Sequence, residues 1–242
     1  RKQAYENLAQ RTNLEGVSTW TYDTATKGLG KPASLAGPGG YSETYTYDTL
    51  GRPLQVASVI NGVTYISATT YDTLGRADTL TYPETGFKTK NVYNTYGYLS
   101  EIRNATTNAL YWRLNSINSQ GQPLQETYGN GLITDHAYDP FTGFLQTIKT
   151  GTGSSVQNLA YTFDVLGNLK IRTDSNQALT ETFGYDSLNR LTSVSGPSPK
   201  TYAYDSIGNI TSKSDVGTYI YGTKPHAVAS AIAPSRRHRP TR

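Results

Sequence analysis

Six aspartates recur along the chain, each directly after an aromatic residue: Asp48, Asp72, Asp139, Asp164, Asp186 and Asp205. Carboxylates in series could ligate calcium, but calcium loops gather several oxygen ligands within a few residues. Here each site offers one carboxylate, and Asn94 and Asn118 take its place in two further repeats. A short side-chain oxygen that accepts backbone N–H groups in a turn accounts for both facts, because Asn does this as well as Asp. The sites therefore predict turn chemistry, with no metal and no cofactor.

Histidine supplies little else. His136 stands two positions before Tyr138, in the slot that other repeats fill with Tyr45, Tyr161, Phe183 or Tyr202, so it is expected to replace an aromatic. His226 follows Pro225, and His238 lies near the C-terminal end; no metal-ligand spacing joins the three, and none pairs with Ser and Asp as a triad. The Gly-rich run from Gly151 to Ser155 lacks the Lys and the following helix of a phosphate loop and reads as a flexible connection. No catalytic residue is expected.

The elements that position these aspartates repeat with them. The repeats are Tyr47-Asp48 with Gly51 and Arg52, Tyr71-Asp72 with Gly75 and Arg76, and Tyr93 with Gly97. A looser unit at Ile117 is followed by Tyr138-Asp139 with Gly143, Phe163-Asp164 with Gly167, Tyr185-Asp186 with Asn189, and Tyr204-Asp205 with Gly208. Successive starts differ by 24, 22, 24, 21, 25, 22 and 19 residues, the spacing of stacked supersecondary units. Before each turn, residues such as Tyr45 and Tyr47 alternate with polar ones, placing an aromatic pair on one strand face. The later Gly suits a position of positive φ, and Asn189 is the next most tolerant choice there. After the turn, apolar residues lie three apart, as Leu99 and Ile102 do, which predicts a bulge or twist in the outgoing strand. Each unit is a β-hairpin too small to stand without its neighbours.

Composition agrees. Tyr occurs 20 times and Gly 23 times, and no helical apolar periodicity or long apolar run appears, so the chain is all-β without a membrane-spanning segment. With no Cys, no disulfide staples the fold. Of 22 basic residues, Arg236, Arg237, Arg239 and Arg242 fall at the C-terminal end; the other 18 match the 18 acidic ones. The repeat body therefore lacks the charge excess of a nucleic-acid binder.

The pattern Tyr-x-Tyr-Asp-x-x-Gly-Arg/Asn-Leu resembles the YD repeat of the Rhs family: bacterial Rhs polymorphic toxins, insecticidal toxin-complex B and C components, wall-associated YD proteins and teneurins. The resemblance covers residues 22–222, and Tyr219 to Val228 is similar to a Tyr-rich, Pro-His-Ala-Val segment near the end of bacterial arrays. It implies repeated β-hairpins stacked into a curved, spiralling sheet, part of a hollow shell around a C-terminal toxin or effector. It also implies a secreted or cell-surface bacterial protein whose partners are the rest of its shell and that cargo. The family's Asp-Pro-x-Gly core-terminating motif is absent, so the chain reads as a piece of shell wall. A second reading, a cell-surface carbohydrate-binding or adhesion module, rests on Tyr faces stacking on sugars; only two Trp lean against it.

Residues 1–21 read as a lead-in strand or loop, and residues 223–242 as the end of the array with a disordered basic tail from 229 onward. The Gly- and Pro-rich run after Tyr22-Asp23, to Gly40, reads as a loop inserted in a degenerate first unit.

Overall fold

The computed structural model describes residues 9–233. Among them, twenty-one strands and two short 3-10 segments, Pro38–Gly40 and Thr152–Ser154, account for the regular structure. The chain folds as two units, one built on residues up to Leu114 with Tyr128–Gly131, the other on Asn115–Thr127 and the residues from Leu132 on.

In the first unit each strand pairs antiparallel with the one before and the one after it, from Gln10–Asn13 to Leu110–Ile117, whose last residues belong to the second unit. The second unit repeats this meander from Pro123–Tyr128 to Val228–Ile232. Antiparallel neighbours joined by tight turns need no crossover, so a chain of hairpin signals folds locally.

Neither unit carries a conventional core. Among the described residues only Ala33, Val194, Thr134 and Thr150, with the glycines Gly28 and Gly51, are buried, and no large side chain is fully enclosed. Strands such as Gly16–Tyr22 alternate half-buried and exposed positions, as expected for a sheet without a second layer against it. Cohesion must come from ladder hydrogen bonds and cross-strand side-chain pairs, which makes the links between hairpins decisive.

The bulge expected after the turn is present and recurs. Thr46 faces Gln55 while Tyr47 faces Pro53, so Leu54 is the extra residue. The same step leaves Ser100, Gln146, Lys170, Thr192 and Thr211 unpaired in later hairpins. Two of these side chains turn back across the ladder: Ser100 Oγ donates to the Val92 carbonyl and Thr192 Oγ1 to that of Gly184, each at 3.1 Å. In the hairpin of Val63–Tyr71 the step is wider: Thr69 faces Leu80 and Tyr71 faces Ala77, so Asp78 and Thr79 of the outgoing strand stand against Thr70 alone.

Two segments differ from the sequence reading. The run after Asp23 is not all loop: Pro32–Ala36 is a strand paired with Gly16–Tyr22, and it carries the buried Ala33. Asp23 N–H donates to the Lys31 carbonyl as Asp48 N–H does to that of Arg52, so a longer loop closes on the same geometry. At the other end, regular structure passes residue 229, where disorder was expected. Val228–Ile232 is a strand paired with Gly217–Tyr221, with a register step at Tyr221 like those of earlier repeats. The arginines from Arg236 to Arg242, and residues 1–8 of the lead-in, lie outside the described residues.

Candidate functional site

The repeated turn is one hydrogen-bonded unit. In the turn at Asp48, Gly51 N–H donates to the Asp48 carbonyl and Asp48 N–H to that of Arg52, both at 2.9 Å. Asp48 Oδ1 accepts Leu50 N–H at 2.9 Å and Arg52 N–H at 2.8 Å. Asp72, Asp164, Asp186 and Asp205 repeat this pair of contacts within 2.9–3.0 Å. Asn94 and Asn118 also repeat it with Oδ1, at 2.9–3.0 Å. The carboxylate's charge is therefore not what closes the turn. Asp139, in a turn one residue longer, accepts instead from Phe141 and Thr142 N–H at 3.1 and 2.8 Å.

The glycines predicted to need positive φ, Gly51, Gly75, Gly97, Gly143, Gly167 and Gly208, have φ between 72° and 93°, and Asn189 has 59°. Gly51 is also crowded, since a Cβ there would lie 3.0 Å from Lys31 Nζ and 3.1 Å from the Lys27 carbonyl oxygen.

A second set of contacts joins each hairpin to the one before it. The hydroxyls of Tyr47, Tyr71 and Tyr93 donate to the carbonyls of Pro32, Pro53 and Ala77 at 2.6, 2.7 and 2.8 Å. Those of Tyr185, Tyr204 and Tyr221 donate to the carbonyls of Leu169, Leu191 and Ile210 at 2.9, 2.8 and 3.0 Å. Each acceptor is the first residue of the preceding hairpin's outgoing strand. The bulge interrupts the ladder next to most of these residues, which frees a carbonyl for a side-chain donor. Each bond contributes about 1 kcal/mol. At Phe163 the hydroxyl is missing, and its ring packs on Phe144 at 5.0 Å.

The residue that closes the turn works in both directions. Arg52 and Arg76 hold the carboxylates of Asp48 and Asp72 with Nε and Nη2, all at 2.7 Å. The same guanidinium groups lie over the next repeat's Tyr71 and Tyr93 rings, 4.1 Å from each centroid. Arg190 repeats this over Tyr204 at 4.7 Å and also donates to the Asp205 carbonyl at 3.1 Å. Where Arg is absent, other side chains make the link. Gln122 donates to the Gly143 carbonyl, Asn168 to Asn189 Oδ1 and Asn209 to the Pro225 carbonyl, within 2.8–2.9 Å. Lys31 Nζ reaches the Gly51 carbonyl and lies over Tyr47.

Sequence reasoning placed the Tyr, Asp and Gly positions at the hairpin ends but not this linking role, and it left out Lys31, Gln122, Asn168, Asn209 and Tyr221. The available signal was that the residue closing the turn is so often Arg, Asn, Gln or Lys, all N–H donors.

The local electrostatics follow from these bonds. Burial opposes the charge on Asp48 and Asp72, but the backbone N–H of Arg52 or Arg76, its guanidinium and a second N–H outweigh it and hold both carboxyls below their usual range. Asp186 is lowered mainly by Arg190 N–H, and Asp164 mainly by the Asn168 amide. Burial pushes the Tyr47 and Tyr185 hydroxyls up, keeping them protonated as donors.

His136 and His226 are not brought together, and His238 lies outside the described residues. His136 stacks beside Tyr138 at 6.4 Å, in the aromatic slot, with Nδ1 3.8 Å from Glu126 Oε2. His226 Nδ1 meets Asn209 Oδ1 at 2.9 Å, docking the last turn on the one before. Among the described residues no three His, Asp or Glu side chains group as a metal site, and no helix is long and apolar enough to cross a membrane.

No family model matches the chain. Toxin subunits YenC1 and YenC2 of Yersinia entomophaga are each 36% identical to it over 98 residues, which is 34% of this chain and 10% of theirs. The chain thus spans about a tenth of the length of these curated relatives. Among solved structures, TcdB2-TccC3 without its hypervariable C-terminal region aligns with a TM-score of 0.56 at 20% identity, over 84% of this chain and 15% of that one. The Photorhabdus luminescens Tc holotoxin pore aligns at 0.53 and 19%, over 85% and 15%. These likenesses show a shared fold. The repeat, the sheet it builds and the toxin-subunit relatives together support an Rhs-type YD-repeat array similar to those of toxin-complex subunits.

Proposed function

We propose that this array is a non-catalytic wall segment of a secreted toxin-complex shell that encloses a C-terminal effector. The serial fastening carries the reading: one Tyr hydroxyl after another is committed to the preceding hairpin's carbonyl. A sheet with almost no buried side chains gains cohesion from such links. The Tyr, Asp and Gly or Asn residues from Tyr47 to Gly208 are then the working parts of the wall. Its partners are the remainder of the shell and the enclosed polypeptide. The hypervariable C-terminal region named for a TcdB2-TccC3 structure supports a variable cargo. A glycan-binding role is less well supported, because it would need these Tyr side chains free.

Enclosure is tested by following the protein past residue 242 and digesting it with trypsin, native and in urea. The effector segment is expected to survive in the native protein and to be cut once urea opens the sheet. Equal cutting in both states, or a protein without any such segment, overturns enclosure.

A further inference from the structure

In the hairpins at Asp48, Asp72 and Asp186 a carboxylate oxygen and the next repeat's aromatic ring together hold a guanidinium, supplied by Arg52, Arg76 or Arg190. The hairpin at Asp139 has no such guanidinium. Phe144 closes the turn, and its ring lies 5.0 Å from Phe163. Asp139 Oδ2 is left with one long contact, 3.4 Å from Gln146 Nε2. The next carboxylate, Asp164, is bonded by the neutral Asn168 amide. Among the described residues neither carboxylate has an ion pair. Between the two turns opens a cleft of about 420 Å3, lined by Asp139, Phe144, Gln146, Tyr161, Phe163 and Asp164.

We propose that this cleft binds an arginine side chain of a polypeptide partner. The chemistry is already used within the chain, where three hairpins hold a guanidinium between a turn carboxylate and an aromatic face at this position. Two uncompensated carboxylates draw a cation, and the aromatic walls suit the planar, weakly hydrated guanidinium better than an ammonium. The rim favours a peptide over a free small cation. Val165, fully exposed, lines the cleft, and Phe141, 94% exposed, lies in the adjoining turn, so both could cover apolar neighbours of the arginine. The proposal stands whether or not the array encloses a cargo.

The molecule itself offers a mild variant. Asn94 and Asn118 close their turns with Oδ1 alone, so Asp139→Asn should keep the turn and remove its charge. Phe144→Arg should place an internal guanidinium in the cleft, as Arg52 does beside Asp48. The probe is acetyl-Leu-Arg-Leu-amide, titrated calorimetrically into the full chain, with the citrulline and lysine analogues as controls. The arginine peptide should bind, and the citrulline peptide about tenfold or more weaker, the loss expected for one charge-assisted contact. Asp139→Asn should weaken the arginine peptide about tenfold, and Phe144→Arg should abolish binding, with circular dichroism unchanged in both. Arginine and citrulline peptides of equal affinity would overturn charge recognition. Equal binding by the lysine peptide would overturn guanidinium recognition, and an Asp139→Asn protein that binds like the parent would overturn the site.

Discussion

The turns at residues 48–52 and 72–76 are closed by guanidinium groups, those at residues 164–168 and 205–209 by carboxamides, on the same backbone. In all four, Asp Oδ1 takes the two N–H groups at 2.8–3.0 Å. The difference lies in the second oxygen and in what its partner does next. Arg52 and Arg76 span the gap to the next aromatic ring, whereas Asn168 and Asn209 are too short and bond the next hairpin's polar atoms. The backbone task admits few residues because it needs one acceptor at one distance. The linking task admits many, because any donor of adequate reach can find a carbonyl or a ring.

The largest expected effect breaks the backbone task. Gly51→Ala, in a guanidinium turn, adds a Cβ close to Lys31 Nζ and the Lys27 carbonyl at φ +73°, whereas Gly208→Ala, in a carboxamide turn, meets nothing within 4 Å at φ +93°. Positive φ costs both variants about 1–2 kcal/mol. The clash adds to the first, for about 3 kcal/mol in total. Urea denaturation followed by circular dichroism measures the two losses. Equal losses would mean that Lys31 and its loop yield freely, and that crowding adds nothing to the choice of Gly.

Next in size is the hydroxyl link, which both regions share. Tyr71→Phe, whose ring lies under Arg52, and Tyr185→Phe, which follows the carboxamide turn at residues 164–168, each remove one bond to a carbonyl, and each should cost about 1 kcal/mol by the same measurement. A much larger loss at Tyr71 would show that Arg52, lying over its ring, is coupled to the hydroxyl. The difference between the regions would then extend beyond the carboxylate.

The hairpins, their turns and the bulge were legible in the sequence because each depends on residues close together. Asn94 and Asn118 were decisive there, since a carboxylate that can be lost without losing the turn is acting as an acceptor. The links between hairpins were not legible. They join residues such as Tyr47 and Pro32 or Asn168 and Asn189, which are 15 and 21 positions apart. The Tyr link also ends on a backbone carbonyl, which leaves no trace in residue type. Pro32–Ala36 was hidden by the Gly-rich loop before it, and Val228–Ile232 by small residues without alternation. Both are strands because an adjacent strand supplies a ladder, a tertiary cause that overrides weak local preference.

The smallest effect sharpens the comparison through charge. Asp48→Asn with Asp72→Asn keeps Oδ1 but turns an amide N–H2 toward a guanidinium that cannot accept it. Asp164→Asn with Asp205→Asn turns the same group toward a carboxamide, which can rotate to accept. Asn118 already donates in this way to Gln122 Oε1 at 2.8 Å. At neutral pH the first pair should therefore lower the urea midpoint modestly, and the second pair hardly at all. The four carboxyl groups have lower pKa values folded than unfolded. Their stabilisation is complete above the unfolded value of about 3.9 and is lost as pH falls through the lower folded values. Parent and variants should accordingly converge in acid, because protonation removes from the parent what the substitutions have already removed. Midpoints measured from about pH 7 down to about pH 2 follow that convergence. If the two double variants lose equally at neutral pH, the guanidinium adds nothing to its turn that a carboxamide does not, and its contribution lies in the contact with the next aromatic ring.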